Sequence, residues 1–385
     1  MNDSGAFTNG FLYDLFAGEL WGGALWPALI KVVAAFVLLL LIVLLMVWVE
    51  RKIVADMQNR IGPNRAGPFG ILQTLADGAK LFFKESLTPR KVELGMYLAA
   101  PIAAMVPAML IFIVIPIGRP FRILNEAGAS TTVTLQPLDL NVALLFILAM
   151  SSVAVYAIVL AGWASGSKYP LLGGVRATAQ MISYEAAMGL ALVPVILLAS
   201  AQIGDGSGGL GAMSMSTIVE LQQGSFRGPI PAWFVFWLLP SFVIFFIAAV
   251  AETNRAPFDL VEAEQEIVGG YHTEYSGIRF ALFFLAEYLS IFNMSAIAVT
   301  VFFGGWLGPD FGLPGWIAWV MPIAWFLLKT FVLVFLFIWI RATLPRLRYD
   351  QLMQLGWKRM IPASLAWLVL FALVTAFRRF GAPWS

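Results

Sequence analysis

The chain has 385 residues, of which 60% are hydrophobic and 12% are charged, with a formal net charge of +2. Because this is about half the charge of a soluble protein, the composition predicts a polytopic membrane protein. The small net charge and the lack of a basic tract give no sign of nucleic-acid binding. The sequence has no cysteine and a single histidine, His272. It therefore excludes a disulfide framework and a cysteine-bound zinc or iron–sulfur site, and we expect no metal site in this chain.

Eight apolar runs are long enough to cross about 30 Å of hydrocarbon as helices. They are Trp26–Val49, Leu98–Ile117, Leu140–Ala161, Met181–Ala199, Trp233–Ala251, Phe280–Phe303, Trp316–Ile340 and Ile361–Phe377. The predicted fold class is an all-α polytopic membrane protein with about eight transmembrane helices. We expect one membrane domain, residues 26–377, between an external N-terminal segment, 1–25, and an external C-terminal tail, 378–385.

The distribution of lysine and arginine predicts the orientation of these helices. The odd-numbered loops, at about 50–97, 162–180, 252–278 and 341–360, carry 16 of the 24 basic residues, whereas the even loops and tails carry five. Since cytoplasmic loops are enriched in Lys and Arg, we expect the odd loops in the cytoplasm and both termini outside.

The first of these loops contains a helical pattern of its own. After Gly70, the polar residues Gln73, Asp77, Lys80 and Lys84 recur at helical spacing, with apolar residues on the other side. This pattern predicts an amphipathic helix in the membrane surface. Docking of the same helix on a soluble partner is the alternative, and one helix could do both.

Basic residues just before this helix are open to two interpretations. Arg51, Lys52, Arg60 and Arg65 contribute to the orientation signal. They could also line a mouth where a hydrophobic ligand with a polar head enters between the first helix and the amphipathic helix.

The most unusual stretch is Ala251–Gly277, which lies between two apolar runs. It carries six carboxylates, and the only Lys or Arg in it is Arg255. The six are Glu252, Asp259, Glu262, Glu264, Glu266 and Glu274. Like charges this close raise one another's pKa, which suits a cluster that takes up and releases protons.

The local structure of this stretch decides which carboxylates face one another. If Pro257 opens a short helix, Asp259, Glu262 and Glu266 project from one face. The alternative is that acidic residues in a first helical turn simply suit the helix dipole and face water.

Lys31 lies close to the outer end of the first predicted helix and can snorkel to the interface. Three other charges fall deeper inside the predicted membrane helices: Glu185, Glu287 and Lys329. Each ionised group costs about 2.5 to 3.5 kcal/mol in hydrocarbon, so their presence needs a reason. One explanation is structural pairing with each other or with a neighbouring subunit. The other is a protonatable path from the acidic stretch through Glu252, Glu185 and Glu287.

Four long motifs together resemble a known family. They are ERK with RIGPNRAGPFG, GWASGSKYPLLGGVRATAQMISYE, AETNRAPFDLVEAEQEIVGGYHTEYSG and RATLPRLRYDQLMQLGWK. In this order they are similar to the quinone-site membrane subunit of respiratory complex I, the proton-translocating NADH:quinone oxidoreductase. The resemblance covers Trp26 to Phe377.

This resemblance implies a subunit without a redox group in a multisubunit translocase of an energy-transducing membrane, in the bacterial case the plasma membrane. Quinone is then a substrate at a shared site, and the chain itself holds no metal, flavin or iron–sulfur cluster. The implied partners are the peripheral subunits with the terminal iron–sulfur cluster and the quinone head-group site, the adjacent small membrane subunits and the bilayer.

The resemblance also assigns roles to residues. The quinone chamber would be lined or framed by Glu50, Arg51, Arg60, Asp77, Arg255 and Arg279. The coupling path would use Asp259, Glu262, Glu264, Glu266, Glu274, Glu252, Glu185 and Glu287, and we add Lys329 because it is buried. Two other functions fit the residues less well: a stand-alone ion-coupled transporter, and the anchor subunit of a related membrane-bound hydrogenase.

Overall fold

The structure is a computed structural model that describes residues 7–8, 16, 25–124, 130–203, 211–227, 230–259, 268–309 and 315–380. The helices in this part are α1 (Leu25–Met57), α2 (Gln73–Phe83), α3 (Leu94–Ile113), α4 (Ala143–Ala164), α5 (Lys168–Ile203), α6 (Met215–Leu221), α7 (Leu239–Glu252), α8 (Ile278–Phe302), α9 (Gly315–Thr343), α10 (Tyr349–Gln354) and α11 (Ile361–Phe380). Single 3₁₀ turns occur at Pro68–Gly70, Phe234–Phe236 and Gly270–His272, and a π-helix, Leu355–Met360, joins α10 to α11.

A helix occupies each of the eight predicted apolar runs. In the part of the chain that is described, seven helices are long and apolar enough to cross a membrane. The eighth, α7, has 14 residues. The predicted all-α polytopic architecture is confirmed.

The strands are few and short. Strand β2 (Phe121–Leu124) pairs antiparallel with β3 (Ser130–Val133), and β1 (Phe7–Thr8) lies parallel to β2. Strands β4 (Ser225–Arg227) and β5 (Ile230–Pro231) form a second antiparallel pair. These pairs belong to connections between helices and do not contribute to the bundle core.

The connections alternate between the two ends of the bundle. One end of the bundle, which we call the basic end, is formed by residues 58–72, 84–93, 165–167, 253–259, 268–277 and 344–348. The opposite end is formed by residues 114–124, 130–142, 211–227, 230–238 and 303–309.

Helix α8 is the central helix of the bundle. In its apolar window 72% of the residues are buried inside the protein, against 17–44% for the other six spans. It contacts α3, α7 and α9, and also α1 and α2. A polar side chain in the middle of α8, such as Glu287, is therefore surrounded by several other helices.

The amphipathic helix predicted in the first loop is present as α2, which contacts both α1 and α8. The indole Nε1 of Trp48 in α1 donates to the carbonyl of Phe69, 3.1 Å away, just before α2. Phe82 and Phe83, at the end of α2, are exposed. This helix thus offers an apolar surface to a membrane or a partner, in agreement with both interpretations of its sequence.

Two predicted loops are largely helical. Helix α5 begins at Lys168 rather than near Met181, so most of residues 162–180 is helix. Residues 341–360 are helical except near 344–348, and at the start of α10 the backbone N–H of Arg348 donates to Gln351 Oε1 at 3.3 Å. Trp357 then anchors the π-helix by donating to Ser183 Oγ at 2.8 Å.

The short helix expected to start at Pro257 is not formed by residues 256–259, which make turns. Phe258 is buried in the core, and the backbone N–H of Leu347 donates to the Pro257 carbonyl at 2.9 Å. These two contacts hold the segment against the bundle.

Helix α5 also fixes the turn at Gly270–His272 by close backbone contact. A Cβ added to Gly173 would lie 2.7 Å from Gly270 Cα and 3.0 Å from the Tyr271 backbone nitrogen. Only glycine at position 173 permits this approach, because the clashing atoms belong to the main chain and cannot rotate away.

We expect Gly173→Ala to destabilise the protein by about 1 to 3 kcal/mol through overpacking. Gly189→Ala on the same helix is the matched control, since its nearest neighbour would be Leu148 Cδ1 at 3.9 Å. Because alanine favours helix by about 1 kcal/mol over glycine, this control should be neutral or slightly stabilising. Thermal unfolding of the purified protein measures both, and equal midpoints for the two variants would contradict the tight contact.

Candidate functional site

A buried arginine lies at the centre of the candidate site. Arg255 follows α7 and is 4% exposed. Its Nη1 lies 3.3 Å from Glu50 Oε1 of α1, and its Nε lies 2.7 Å from Glu287 Oε1 of α8. The guanidinium also lies over the ring of Tyr288, 4.6 Å from the centroid. One cation thus joins two helices that are distant in sequence.

The electrostatics of Arg255 reflect these partners. Burial opposes its charge, but the carboxylates of Glu287 and Glu50 outweigh that effect and hold the pKa of Arg255 above its ordinary value. The side chain therefore remains a fixed positive charge. Burying such a group is tolerated only when paired charges compensate its lost hydration.

A second arginine completes this group. Arg341, near the end of α9, also forms an ion pair with Glu50. The ring of Tyr288 lies next to the same charges, under the Arg255 guanidinium. We call Glu50, Arg255, Glu287 and Arg341 the charge cluster. With two carboxylates and two guanidiniums it is neutral when all four groups are ionised, so uptake or loss of one proton changes its net charge.

Two more carboxylates are held by neighbouring serines of α4. Ser151 Oγ donates to Glu252 Oε1, and Ser152 Oγ donates to Glu185 Oε1. Glu252 ends α7 and Glu185 lies on α5, so consecutive residues of one helix hold carboxylates from two others. The carboxylate of Glu185 is near enough to repel that of Glu252.

One oxygen of this pair has no protein partner among the described residues. Glu252 is 6% exposed, and its Oε2 is buried without a hydrogen bond. A buried carboxylate oxygen normally finds a donor, either in protein or in ordered water. Water or a transferable proton is thus the natural complement of Oε2.

A cavity of about 60 Å³ connects Glu252 to the charge cluster. Its polar lining includes Glu252, Asn254 and Tyr271 on one side and Glu287 and Ser290 of α8 on the other. This space has room for a few water molecules, which are stable where several polar groups face one cavity. The arrangement can therefore carry a proton between Glu252 and Glu287.

The other predicted chamber residues lie nearer the surface of the basic end. Arg51 Nη1 pairs with Asp77 Oδ2 at 2.5 Å, which links α1 to α2. Arg279 Nη1 donates to Thr88 Oγ1 at 2.8 Å, and its guanidinium lies 5.3 Å from the ring centroid of Tyr97. Arg60 is exposed and donates to Gln58.

The acidic stretch is described only in part. Asp259 is half-buried, and the backbone carbonyl of Glu274 accepts from Tyr97 Oη at 2.7 Å. The predicted roles of Glu262, Glu264 and Glu266 fall on residues outside the described part. The structure brings Glu252 into the site, whereas Asp259 and Glu274 lie on the basic end around it.

Lys329 lies apart from these carboxylates. Its Nζ donates at 2.8 Å to the carbonyls of Phe303 and Leu307, just beyond the end of α8, and lies 4.9 Å from the ring centroid of Trp233. Glu287 is 16 residues before Phe303, or about 24 Å along the helix. Lys329 therefore holds carbonyls at the opposite end and makes no described contact with the predicted proton path.

Sequence reasoning missed four members of the site: Arg341, Tyr288, Ser151 and Ser152. Arg341 enters the sequence argument only as an orientation signal. The serine pair interrupts an otherwise apolar run, in the sequence AMSSVAVY, and this is a usable signal for a polar contact inside the bundle.

Comparison with known protein families gives a match over most of the chain. Residues 30–372 match the family described as NADH dehydrogenase. The matched range contains the charge cluster, the serine pair with its two carboxylates, and the cavity between them.

The buried and exposed ion pairs of α1 provide a direct test of this geometry. Arg255→Met should cost about 3 to 5 kcal/mol, because Glu50 and Glu287 would lose the cation between them in a buried site. Arg51→Met, the matched control, should cost less than about 1 kcal/mol, since its pair with Asp77 is exposed to solvent. Thermal unfolding and the yield of folded protein measure both. Equal losses in the two variants would contradict a buried charge cluster.

Proposed function

The chain belongs to the NADH dehydrogenase family, a family of membrane subunits of NADH:quinone oxidoreductase, and from this premise we propose that it is the quinone-site membrane subunit of that enzyme. In this role it frames the chamber through which quinone enters and couples quinone reduction to proton translocation. The enzyme oxidises NADH and reduces quinone on other chains, and this chain supplies charge and protonatable groups.

The observation that carries this proposal is the continuity between the charge cluster and Glu252. Arg255 contacts Glu50 and Glu287, and Glu287 shares a cavity with Glu252. Ser151 and Ser152 then bring Glu252 and Glu185 together. Four carboxylates in one apolar bundle carry a large desolvation cost, and such groups usually mark an ion or proton pathway.

The position of the chamber follows from the helices that meet at the basic end. Helix α2 contacts α1 and α8, and the pair Arg51–Asp77 closes one side of this junction. Arg279 begins α8 on the other side. A quinone head group entering here from the membrane reaches the level of Glu50 and Arg255, while α2 supports its apolar tail.

The coupling step uses the charge balance of the cluster. Reduction of quinone draws protons to the head group and so changes the charge close to Arg255 and Glu50. Glu287 contacts the same arginine. When the charge near Arg255 changes, the electrostatic potential at the Glu287 carboxylate changes too, and its affinity for a proton changes with it. A proton then moves through the cavity between Glu287 and Glu252 and on to Glu185.

The proposed partners follow from the same geometry. The exposed basic end, with the apolar end of α2 at Phe82 and Phe83, docks the peripheral subunits that carry the terminal iron–sulfur cluster. Glu185, on the far side of the serine pair, delivers the signal or the proton to the adjacent membrane subunits.

Glu252→Gln and Glu287→Gln should each lower quinone reduction and proton pumping by at least about tenfold in membrane vesicles, because each removes a proton-carrying group while keeping the side-chain shape. Reduction of ferricyanide by NADH, which requires only the peripheral subunits, should stay unchanged. Glu220→Gln, an exposed carboxylate of α6 at the opposite end, is the matched control and should leave all three activities intact.

Wild-type rates of quinone reduction and pumping in both cavity variants would refute the coupling role. Loss of ferricyanide reduction together with quinone reduction would indicate failed assembly instead. In that case the yield of the assembled complex would fall in parallel.

A further inference from the structure

A large cavity lies at the opposite end of the bundle, away from the charge cluster. Its volume is about 690 Å³, a size suited to a small molecule or a lipid head group. The aromatic part of its lining comprises Trp233, Phe236, Trp306 and Trp325, and Arg119 lies at its edge. The proposed function makes no use of this space.

The floor of this cavity is fixed by one buried glutamine. Gln222 Nε2 donates to the carbonyls of Thr300 and Val301 in α8, at 3.0 and 3.3 Å. Its Oε1 accepts from the backbone N–H groups of Phe234 and Gly304, at 3.1 and 3.0 Å. A single amide thus joins the residues after α6, the 3₁₀ turn before α7 and the end of α8.

The wall at residues 303–309 is fixed from the other side. Lys329 donates to the carbonyls of Phe303 and Leu307, and Trp325 Nε1 donates to the Pro309 carbonyl at 3.3 Å. A Cβ added to Gly308 would clash with the Trp325 ring, so this backbone rests directly on the indole. The cavity is therefore preformed, which lowers the entropy cost of filling it.

The electrostatics of this wall favour an anion. Among the described residues that line the cavity, Arg119 is the one charged side chain. Lys329 Nζ lies behind the ring of Trp233, 4.9 Å from its centroid, and its hydrogen bonds go to backbone carbonyls of the cavity wall.

The level of the cavity favours a lipid. It lies where α8 ends and where the 3₁₀ turn before α7 begins, so its tryptophans occupy the position of an interfacial aromatic belt. Arginine is the preferred side chain for phosphate groups because its planar donors can form two hydrogen bonds. The exposed guanidinium of Arg119 can reach a head group, while the tryptophan rings contact the glycerol and the upper part of the acyl chains.

We propose that this cavity binds the phosphate of an anionic phospholipid, with Arg119 as the phosphate ligand and the tryptophan-lined wall as the contact for the apolar part. Inorganic phosphate offers the same charge without the apolar contact. The rings therefore distinguish the lipid from the free anion.

The test uses the purified complex, washed with detergent to remove loosely held lipid. Phosphatidylglycerol, phosphatidylcholine with the same acyl chains, and inorganic phosphate are added separately. The lipid retained per complex is measured by mass spectrometry, and the thermal midpoint is recorded. The wild-type complex should retain phosphatidylglycerol selectively and gain stability from it, with no gain from inorganic phosphate.

Two variants assign that retention to this cavity. Arg119→Gln should lower the affinity of the complex for phosphatidylglycerol by about ten- to a hundredfold, the usual range for the loss of a hydrogen bond to a charged group. Met321→Trp fills the cavity and keeps Arg119, so this variant should retain one phosphatidylglycerol molecule fewer per complex. Arg359→Gln, an exposed arginine at the other end of the chain's membrane domain, is the control and should change nothing.

The proposal is overturned if Arg119→Gln and Met321→Trp retain as much phosphatidylglycerol as the wild type. Equal retention of phosphatidylcholine, or full stabilisation by inorganic phosphate alone, also overturns it. If neither lipid is retained in any form of the complex, a neighbouring subunit fills the cavity and the proposal fails. None of these outcomes depends on quinone reduction, so they are separate from the test of the proposed function.

Discussion

The contact of Arg255 with Glu50 and Glu287 is the interaction on which the interior of this protein depends. It places a permanent positive charge among apolar helices and fixes α1 and α8 relative to the segment after α7. Without the arginine, two carboxylates would face each other in a medium that penalises ionisation. With it, the carboxylates can be charged, and the helices that bear them must stay close. The same contact thus fixes the positions of these helices and compensates the charges of their carboxylates.

A different device holds the next pair of carboxylates. Ser151 and Ser152 supply neutral donors to Glu252 and Glu185, so this pair has no fixed countercharge in the contacts described. A carboxylate beside an arginine favours the ionised form, whereas a buried carboxylate bound only by a hydroxyl is much closer to neutrality. The two groups of acids therefore differ in the groups that they contact, which are guanidiniums for Glu50 and Glu287 and hydroxyls for Glu252 and Glu185.

Much of the fold could be predicted from the sequence because the hydrocarbon layer imposes a minimum length on an apolar helix. The helix ends were harder to predict, since α5 begins at Lys168, in residues polar enough to look like a loop. Among the site residues, Glu252, Arg255 and Glu287 were found because charge is costly in an apolar segment. Glu50 was named as a chamber residue through the family resemblance, but its pairing was not predicted. It meets Arg255 across 205 positions and Arg341 across 291, and no local pattern encodes such contacts. Lys329 was assigned to the path for its burial alone, and backbone carbonyls, which leave no signal in the sequence, turned out to be its hydrogen-bond acceptors.

The shortness of α7 has a consequence for the bilayer itself. Fourteen residues span about 21 Å, well below the thickness of the hydrocarbon layer. The chain therefore leaves its helix while still at membrane depth, and Thr253 and Arg255 continue as irregular backbone that is buried by the surrounding helices. Irregular backbone at this depth is tolerated only where protein rather than lipid surrounds it. Here the amide groups of residues 253 and 258 bond to nearby carbonyls, and Gln180 donates to the carbonyl of Ala251. The short helix thus leaves polar main chain inside the helical bundle, where protein groups instead of water supply its hydrogen bonds.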